Sequence, residues 1–179
     1  MHKKKKRLII RTIILSVLVL TLIGVLYVNF SNERPVVAEG DEAPNFKLNR
    51  LDVEGETIEL KDLEGKGVML NFWATYCEPC KEEMPYMDEL YQEYKDKGIE
   101  IVALSVDSNE FVINNFYNKL GLSFPSVHDK NGTVMEAYDI VPLPTSFFVN
   151  PDGTIERVVK GALTLERLEG YLQEILPTS

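Results

Sequence analysis

Cysteine and histidine are scarce in this chain, and their scarcity excludes several kinds of site. The 179 residues contain two of each, at Cys77, Cys80, His2 and His128. A structural zinc site needs four ligands, and no second cysteine pair is present to complete one. A disulfide across two intervening residues constrains the unfolded chain very little, so it adds little stability. Redox chemistry is the favoured interpretation of the two thiols, with metal binding as the alternative.

An excess of basic charge is also missing from most of the chain. After residue 34 the sequence has 12 Lys and Arg against 27 Asp and Glu, a net charge of −15. Such a surface repels the phosphates of nucleic acid and of anionic lipid. We therefore expect no nucleic-acid partner. The acidic residues would suit a basic protein partner, or they form a solvated face.

Charged residues are absent from positions 12–28, which are rich in Leu, Ile and Val. Counted from residue 8, with Arg11 turned toward the headgroups, the stretch reaches the ~20 residues that cross a bilayer. A cleaved signal peptide is the alternative, with a loose cleavage site at residues 36–38. However, the apolar core exceeds the roughly 7–15 residues of such peptides, and no cysteine lies near its end to carry a lipid.

These observations predict four segments. They are a cytoplasmic basic segment at 1–7, an uncleaved transmembrane signal-anchor at 8–30, a linker at 31–40 and a folded domain at 41–179. Because basic residues precede the span, we expect a single pass through the cell membrane with the domain on the extracytoplasmic side. Disulfides persist there, so a reactive dithiol in that place would either form or reduce them.

Hydrophobic patterning in the domain alternates between strand and helix. The apolar run at residues 67–72 is typical of a strand buried on both faces. The spacing of Met84, Met87 and Leu90 predicts a helix over residues 82–97. The other predicted strands are 45–48, 57–60, 99–106, 145–149 and 155–159, and the other predicted helices are 110–120, 132–138 and 165–176. This alternation predicts an α/β fold with a central sheet covered on both faces.

The cysteines lie in the segment 73–80, between the predicted strand at 67–72 and the helix that follows. A thiolate at a helix N-terminus is stabilised by unpaired backbone N–H groups and by the helix dipole. Cys77 is therefore the expected attacking thiol. Cys80, one turn into the helix and more buried, is expected to resolve the mixed disulfide.

In their order along the chain, these motifs resemble the thioredoxin superfamily. The resemblance is carried by Asn-Phe-Trp-Ala-Thr-Tyr-Cys-Glu-Pro-Cys at 71–80, by Val-Pro-Leu-Pro-Thr at 141–145 and by residues 40–46. The chain is most similar to the membrane-anchored, extracytoplasmic ResA type of thiol–disulfide oxidoreductase, which acts in cytochrome c maturation. The resemblance implies a thioredoxin-like fold with a central mixed sheet, an inserted strand-and-helix region at about 111–138, and a protein-disulfide reductant.

The resemblance also implies roles for residues beyond the two cysteines. Glu83 shares a helix face with Cys80 and would move protons to and from the buried thiol, whereas its neighbour Glu82 would be solvated. Pro144 would be a cis proline against the disulfide. Its bend would expose backbone groups of Leu143 to an extended substrate segment.

Four further residues are expected near the substrate. Glu78 and Pro79 fill the gap between the cysteines. The Glu78 carboxylate would disfavour a thiolate and so favour a reductant, unless it points to solvent. Trp73 and Tyr76 are interpreted equally well as packing residues and as substrate contacts. Pro142 is expected to be a trans turn proline.

No cofactor and no resident metal are expected. The resemblance implies apocytochrome c as the protein substrate, because its C-x-x-C-H haem-attachment motif needs free thiols. The implied electron donor is an integral membrane protein of the CcdA type. The same chemistry on a different exported client, such as a spore-envelope or cell-wall protein, is an open alternative.

Two other functions use the same cysteines. A copper-delivery module is the non-enzyme alternative, since two thiolates suit Cu(I). Its histidine ligand would be His128, which is otherwise expected in a loop and is the one histidine of the domain. Peroxide reduction is disfavoured. Asn71 stands where peroxiredoxins carry a proline, and Thr75 lies two rather than three residues before Cys77.

Overall fold

The computed structural model describes residues 2–31 and 37–178, which fall into two units. The first is helix α1, His2–Ser31, whose stretch Lys5–Tyr27 contains an 18-residue window with a mean hydropathy of 2.6. A helix rises about 1.5 Å per residue and a bilayer core is about 30 Å thick, so α1 is long and apolar enough to cross a membrane. This apolar N-terminal helix contains the residues 8–30 that the sequence predicts as an anchor. Positions 32–36 of the predicted linker lie outside the described residues.

The second unit is built on a mixed five-stranded sheet, as predicted. Its strands are β3 (Gly67–Trp73), β4 (Ile99–Ser105), β5 (Ser126–His128), β6 (Thr145–Val149) and β7 (Ile155–Lys160), and a separate antiparallel pair is formed by β1 (Lys47–Asn49) and β2 (Thr57–Glu59). The order in the sheet is β5-β4-β3-β6-β7. The pairs β3–β4 and β4–β5 are parallel, whereas β6 is antiparallel to both of its neighbours.

Helices cover both faces of the sheet and form two cores. They are α2 (Glu78–Tyr94), α3 (Glu110–Leu120), α4 (Thr133–Ala137) and α5 (Leu165–Glu174). Successive side chains of a strand point to opposite faces. Met69 of β3 accordingly packs with side chains of α2, α3 and α5, and Leu70 packs with side chains of α4 and β2. The thioredoxin-like arrangement implied by the resemblance is confirmed.

The helix after the cysteines begins four residues earlier than the predicted 82–97. Cys77 caps it, and Pro79 fits the first turn because the missing N–H of proline would have no partner there. The helix ends at Tyr94 and continues as a 3-10 turn, Lys95–Lys97. Gly98, with φ of 91°, takes the left-handed conformation that stops the chain from continuing as a helix.

The inserted region contains a strand whose bounds the sequence did not indicate. Ser126–His128 pairs in parallel with β4, so the prediction that His128 lies in a loop is wrong. Three residues are too short a run to show a period-two pattern. Elsewhere the predicted bounds shift by a few residues: β1 is Lys47–Asn49 rather than 45–48, and α5 ends at Glu174 rather than 176.

Candidate active site

Cys77 and Cys80 form a disulfide at the N-terminus of α2, with 5.3 Å between their Cα atoms. β3 ends at Trp73, and the turn that follows is closed by a 3.1 Å hydrogen bond from Cys77 N to Ala74 O. Cys77 is the N-cap of α2, and its Sγ accepts a hydrogen bond from Cys80 N at 3.3 Å. After reduction, the same N-terminal N–H groups are placed to stabilise a thiolate on Cys77.

The two sulfurs differ in their access to solvent. Cys80 is fully buried in the core beside Met84, whereas Cys77 is half-buried. Glu78 and Pro79 are exposed, and the Glu78 carboxylate pairs with Lys81 Nζ. Solvent and the lysine both weaken the repulsion that Glu78 would exert on a thiolate. The interpretation of Glu78 as a solvent-directed side chain fits this position.

Glu83 is a buried carboxylate one turn along α2 from Cys80, and it is 1% exposed. Its Oε1 accepts a hydrogen bond from Asn71 Nδ2 at 2.8 Å, and its Oε2 accepts one from Leu163 N at 2.9 Å. Burial raises the pKa of Glu83 to about 7, although both hydrogen bonds oppose the rise. A group with that pKa exchanges its proton readily near neutral pH, as a proton carrier to a thiol must. Glu82, in contrast, is exposed.

Asn71 is a contact of this site that the sequence did not single out as one. It is a fully buried polar residue in β3, and its Nδ2 donates to Ser146 Oγ at 3.0 Å as well as to Glu83. Asn71 Oδ1 has no hydrogen-bond partner among the described residues. A single polar residue inside an otherwise apolar strand is the signal that could have indicated it.

The Leu143–Pro144 peptide bond is cis, which agrees with the conformation that the resemblance implies. Phe72 pairs with Thr145 in the sheet, so Pro144 lies beside the end of β3 from which the cysteine segment departs. The Val141–Pro142 bond is also cis, so the prediction of a trans proline there is wrong. Proline has only a small intrinsic preference for trans, and sequence alone does not reveal which isomer the fold selects.

The two aromatic residues of the segment have different surroundings. Tyr76 is 72% exposed and available to a substrate. Trp73 is fully buried, with its ring centroid 5.2 Å from that of Phe116 and 5.8 Å from that of Tyr117. Of the two interpretations that the sequence left open for Trp73, packing fits its position. Leu143 is partly buried against the core that contains Cys80.

His128 is held by contacts that occupy both ring nitrogens. Its Nε2 lies 2.7 Å from Asp107 O, and its Nδ1 lies 3.4 Å from Glu110 Oε1. In the part of the chain that the structure describes, no three His, Cys, Asp or Glu side chains are grouped so that they could hold a metal ion. Neither observation favours the copper-delivery alternative.

Comparison with known proteins agrees with this geometry. The profile of the AhpC/TSA family matches residues 39–158. The thiol–disulfide oxidoreductase ResA of Oceanobacillus iheyensis is 51% identical over 98% of this chain and 92% of that protein. ResA of Bacillus subtilis is 46% identical over 98% of this chain and 97% of its own length.

A solved structure extends the similarity to the fold. The thioredoxin domain of a thiol–disulfide oxidoreductase from Bacteroides vulgatus superposes with a TM-score of 0.69 at 29% identity, covering 78% of this chain and 99% of that domain. The chain therefore belongs to the thioredoxin-like AhpC/TSA family, and with its Cys77–Cys80 pair it is a protein-disulfide oxidoreductase.

Proposed function

We propose that the protein is a membrane-tethered, extracytoplasmic reductant of protein disulfides. The observation that carries the proposal is the arrangement around the dithiol: Cys77 half-buried at a helix N-terminus, Cys80 fully buried, and the carboxylate of Glu83 buried one turn further along. An accessible thiol next to a protected thiol with its own proton acceptor suits a two-step exchange with a large substrate.

The exchange proceeds through one mixed disulfide. The Cys77 thiolate attacks a sulfur of the client disulfide, and the other client sulfur leaves as a thiolate. Cys80 then gives its proton to Glu83 and attacks Cys77 Sγ, which releases the second client thiolate. Two electrons have moved from the protein to the client, and the protein is left with the disulfide seen here.

Exposed groups around the disulfide would receive the client. Tyr76, Glu78 and Pro79 are exposed beside Cys77, and the backbone of Leu143 precedes the cis proline Pro144. In this proposal the backbone of Leu143 pairs with an extended client segment. Tyr76 supplies apolar contact area to the same segment.

Continued reduction requires an electron donor and a fixed place. Helix α1 would hold the domain at the membrane, with residues 1–7 in the cytoplasm and residues 41–179 outside. A donor of the CcdA type, which transfers electrons between thiols through the membrane, would then return the Cys77–Cys80 disulfide to the dithiol. The tether supports this step because it raises the local concentration of the domain at the donor.

We propose apocytochrome c as the client. The support is the similarity to ResA proteins over nearly the full chain together with the chemistry of haem attachment, which needs both thiols of C-x-x-C-H free. In a strain whose only copy carries Cys77→Ala, c-type cytochromes should be lost and should return when a small thiol reductant is added. Normal cytochrome levels in that strain would contradict the assignment.

A trapping experiment separates apocytochrome c from other clients. Cys80→Ser leaves Cys77 able to attack but removes the thiol that resolves the mixed disulfide, so the client stays attached. Identification of apocytochrome c in the trapped adduct would support the proposal. Identification of a spore-envelope or cell-wall protein instead would transfer the same chemistry to that client.

A further inference from the structure

Asp107 is a buried carboxylate whose hydrogen bonds run to the turn that carries Cys77. It follows β4 and is 4% exposed. Its Oδ2 accepts from Thr75 N at 2.8 Å and from Ser105 Oγ at 2.9 Å, and its Oδ1 accepts from Thr75 Oγ1 at 2.7 Å. All three donors are uncharged, and two of them belong to Thr75.

These contacts make the turn and the carboxylate depend on each other. A buried carboxylate is costly unless hydrogen bonds replace its lost hydration. Any movement of Thr75 away from β4 would leave the charge of Asp107 without two of its three donors. The position of Thr75 is therefore fixed against the end of β4 more strongly than a single neutral hydrogen bond would fix it.

The end of β4 is itself held from the other side. Asp107 O lies 2.7 Å from His128 Nε2, and Asp129 N donates to Ser105 O at 2.9 Å, so β5 anchors the segment that carries Asp107. Val106 N also donates to Trp73 O at 3.1 Å, which ties the same segment to the end of β3. The segment that carries Asp107 is therefore hydrogen-bonded to the chain on both of its sides.

The turn fixed in this way leads directly to the reactive sulfur. Cys77 N donates to Ala74 O, and two residues after Thr75 the Cys77 side chain caps α2. We propose that Asp107 is a positioning residue for Cys77: through Thr75 it holds the turn so that Cys77 Sγ stays at the N-terminus of α2. This inference rests on the proposed role of Cys77 as the attacking thiol.

Two substitutions at Thr75 test the contact without removing the buried charge. Thr75→Val keeps the size and the backbone N–H but loses the hydroxyl, whereas Thr75→Ser keeps the hydroxyl. We measure the second-order rate at which the reduced full-length protein, in detergent, reduces a peptide disulfide. Thr75→Val should lower this rate about tenfold, because small misplacement of a reacting group has large kinetic effects. Thr75→Ser should stay within about twofold of the unaltered protein.

Asp107→Asn, with Asp88→Asn as its matched control, tests the carboxylate itself. Asp88 also accepts a backbone and a hydroxyl hydrogen bond from one residue, Ser123, both at 2.7 Å, but it lies on α2 eight residues beyond Cys80. Asp107→Asn should lower the exchange rate about tenfold or more, whereas Asp88→Asn should lower the thermal midpoint and leave the rate unchanged.

The outcomes separate this inference from the proposed function. If Thr75→Val and Asp107→Asn are folded and reduce the peptide disulfide at the rate of the unaltered protein, Asp107 does not position Cys77. If Thr75→Ser is as slow as Thr75→Val, the hydroxyl contact is not the cause. If the unaltered protein itself does not reduce the peptide disulfide, the result contradicts the proposed reductant function rather than the role of Asp107.

Discussion

The amide of Asn71 donates a 2.8 Å hydrogen bond to the buried carboxylate of Glu83, joining the central strand β3 to helix α2, which Cys77 caps and which contains Cys80. Leu163 N completes the surroundings of the carboxylate from a residue 80 positions further along the chain. The proton-carrying group proposed for the site is thus defined by three segments that are distant in sequence. Its properties can be changed from any of them.

Replacing Glu83 should remove a pH dependence from the stability of the oxidised protein. The pKa of Glu83 is about 7 in the fold against 4.5 for an ordinary glutamate. The folded state therefore binds the Glu83 proton more tightly than the unfolded state does. The stability that this proton contributes is fully present below about pH 4.5 and is lost as the pH rises through 7. The difference corresponds to about 3 kcal/mol. Urea unfolding at a series of pH values between 4.5 and 8 measures the effect. Over this range the free energy of unfolding should fall by about 3 kcal/mol less in Glu83→Gln than in the unaltered protein.

Glu82→Gln is the matched control for that measurement, because Glu82 is exposed and adjacent on the same helix. It should retain the pH dependence of the unaltered protein. A Glu83→Gln protein whose stability falls with pH as steeply as the unaltered one would show that another group is responsible.

Removing the Asn71 amide should raise the pKa of Glu83 further. The hydrogen bond from Asn71 stabilises the ionised carboxylate and so lowers its pKa against the larger effect of burial. Asn71→Ala should move the titration of the Glu83 side-chain carbon, followed by NMR, to a higher pH. Ser146→Ala removes the other partner of Asn71 and should leave that titration near 7. A shift to lower pH in Asn71→Ala would contradict the assigned role of the amide.

Two glycines should respond in opposite directions to alanine. A Cβ at Gly67 would lie 2.1 Å from Ile175 O, which is backbone and is unable to move aside easily. Gly67→Ala should therefore lower the free energy of unfolding by about 3 kcal/mol. Gly170 lies exposed in α5 with no atom within 4 Å of such a Cβ, so Gly170→Ala should add about 1 kcal/mol by restricting the unfolded chain. Chemical denaturation measures both, and equal effects would contradict the close approach at Gly67.

The apolar helix should keep the whole chain in the membrane. If residues 8–30 form an uncleaved anchor, the full 20.4 kDa chain should sediment with membranes after carbonate washing, and protease added to intact protoplasts should digest the domain. Leu18→Arg together with Leu20→Arg should weaken retention, since each charge at the centre of a span costs about 3 kcal/mol. Leu18→Ala with Leu20→Ala is the control that should remain bound. A shorter, soluble chain in the medium would show cleavage.

Local sequence signals predicted most of the elements of the fold. The helix at 110–120 and the strand at 145–149 have the predicted bounds, because capping residues, turns and side-chain periodicity mark both ends. The apolar spacing places the start of α2 at residue 82, four residues late, because its apolar positions begin only at Met84. The position expected for the cysteines, with Cys77 at the helix N-terminus and Cys80 one turn into the helix, agrees with the structure. The sequence does not predict where β5 begins and ends, because this strand is only three residues long and is defined by its pairing with β4.

The site residues expected from the sequence come from closeness to the cysteines along the chain and from the family resemblance. Helix spacing places Glu83 on the same face as Cys80, and the resemblance implies its role and supplies Leu143 and Pro144 from a distant part of the chain. The sequence indicates Asn71 only as part of the motif at 71–80 and as an argument against peroxide chemistry, and it gives no sign of Asp107, because each reaches the site through the sheet. The buried position of His128 and the cis geometry of Pro142 likewise depend on neighbours that the local sequence does not indicate.

By itself, the sequence determined that two thiols lie where a buried strand gives way to a helix, and that a long apolar helix precedes them. Strand and helix periodicities, turn residues and the dipole of a helix end are local properties, so they can be read from adjacent residues. Only the tertiary structure decided which groups surround the thiols and at which pH the nearby carboxyl group of Glu83 takes up its proton. Burial and hydrogen bonding set the free energy of a charge, and the atoms that bury Glu83 and hold Thr75 come from segments that meet only after folding.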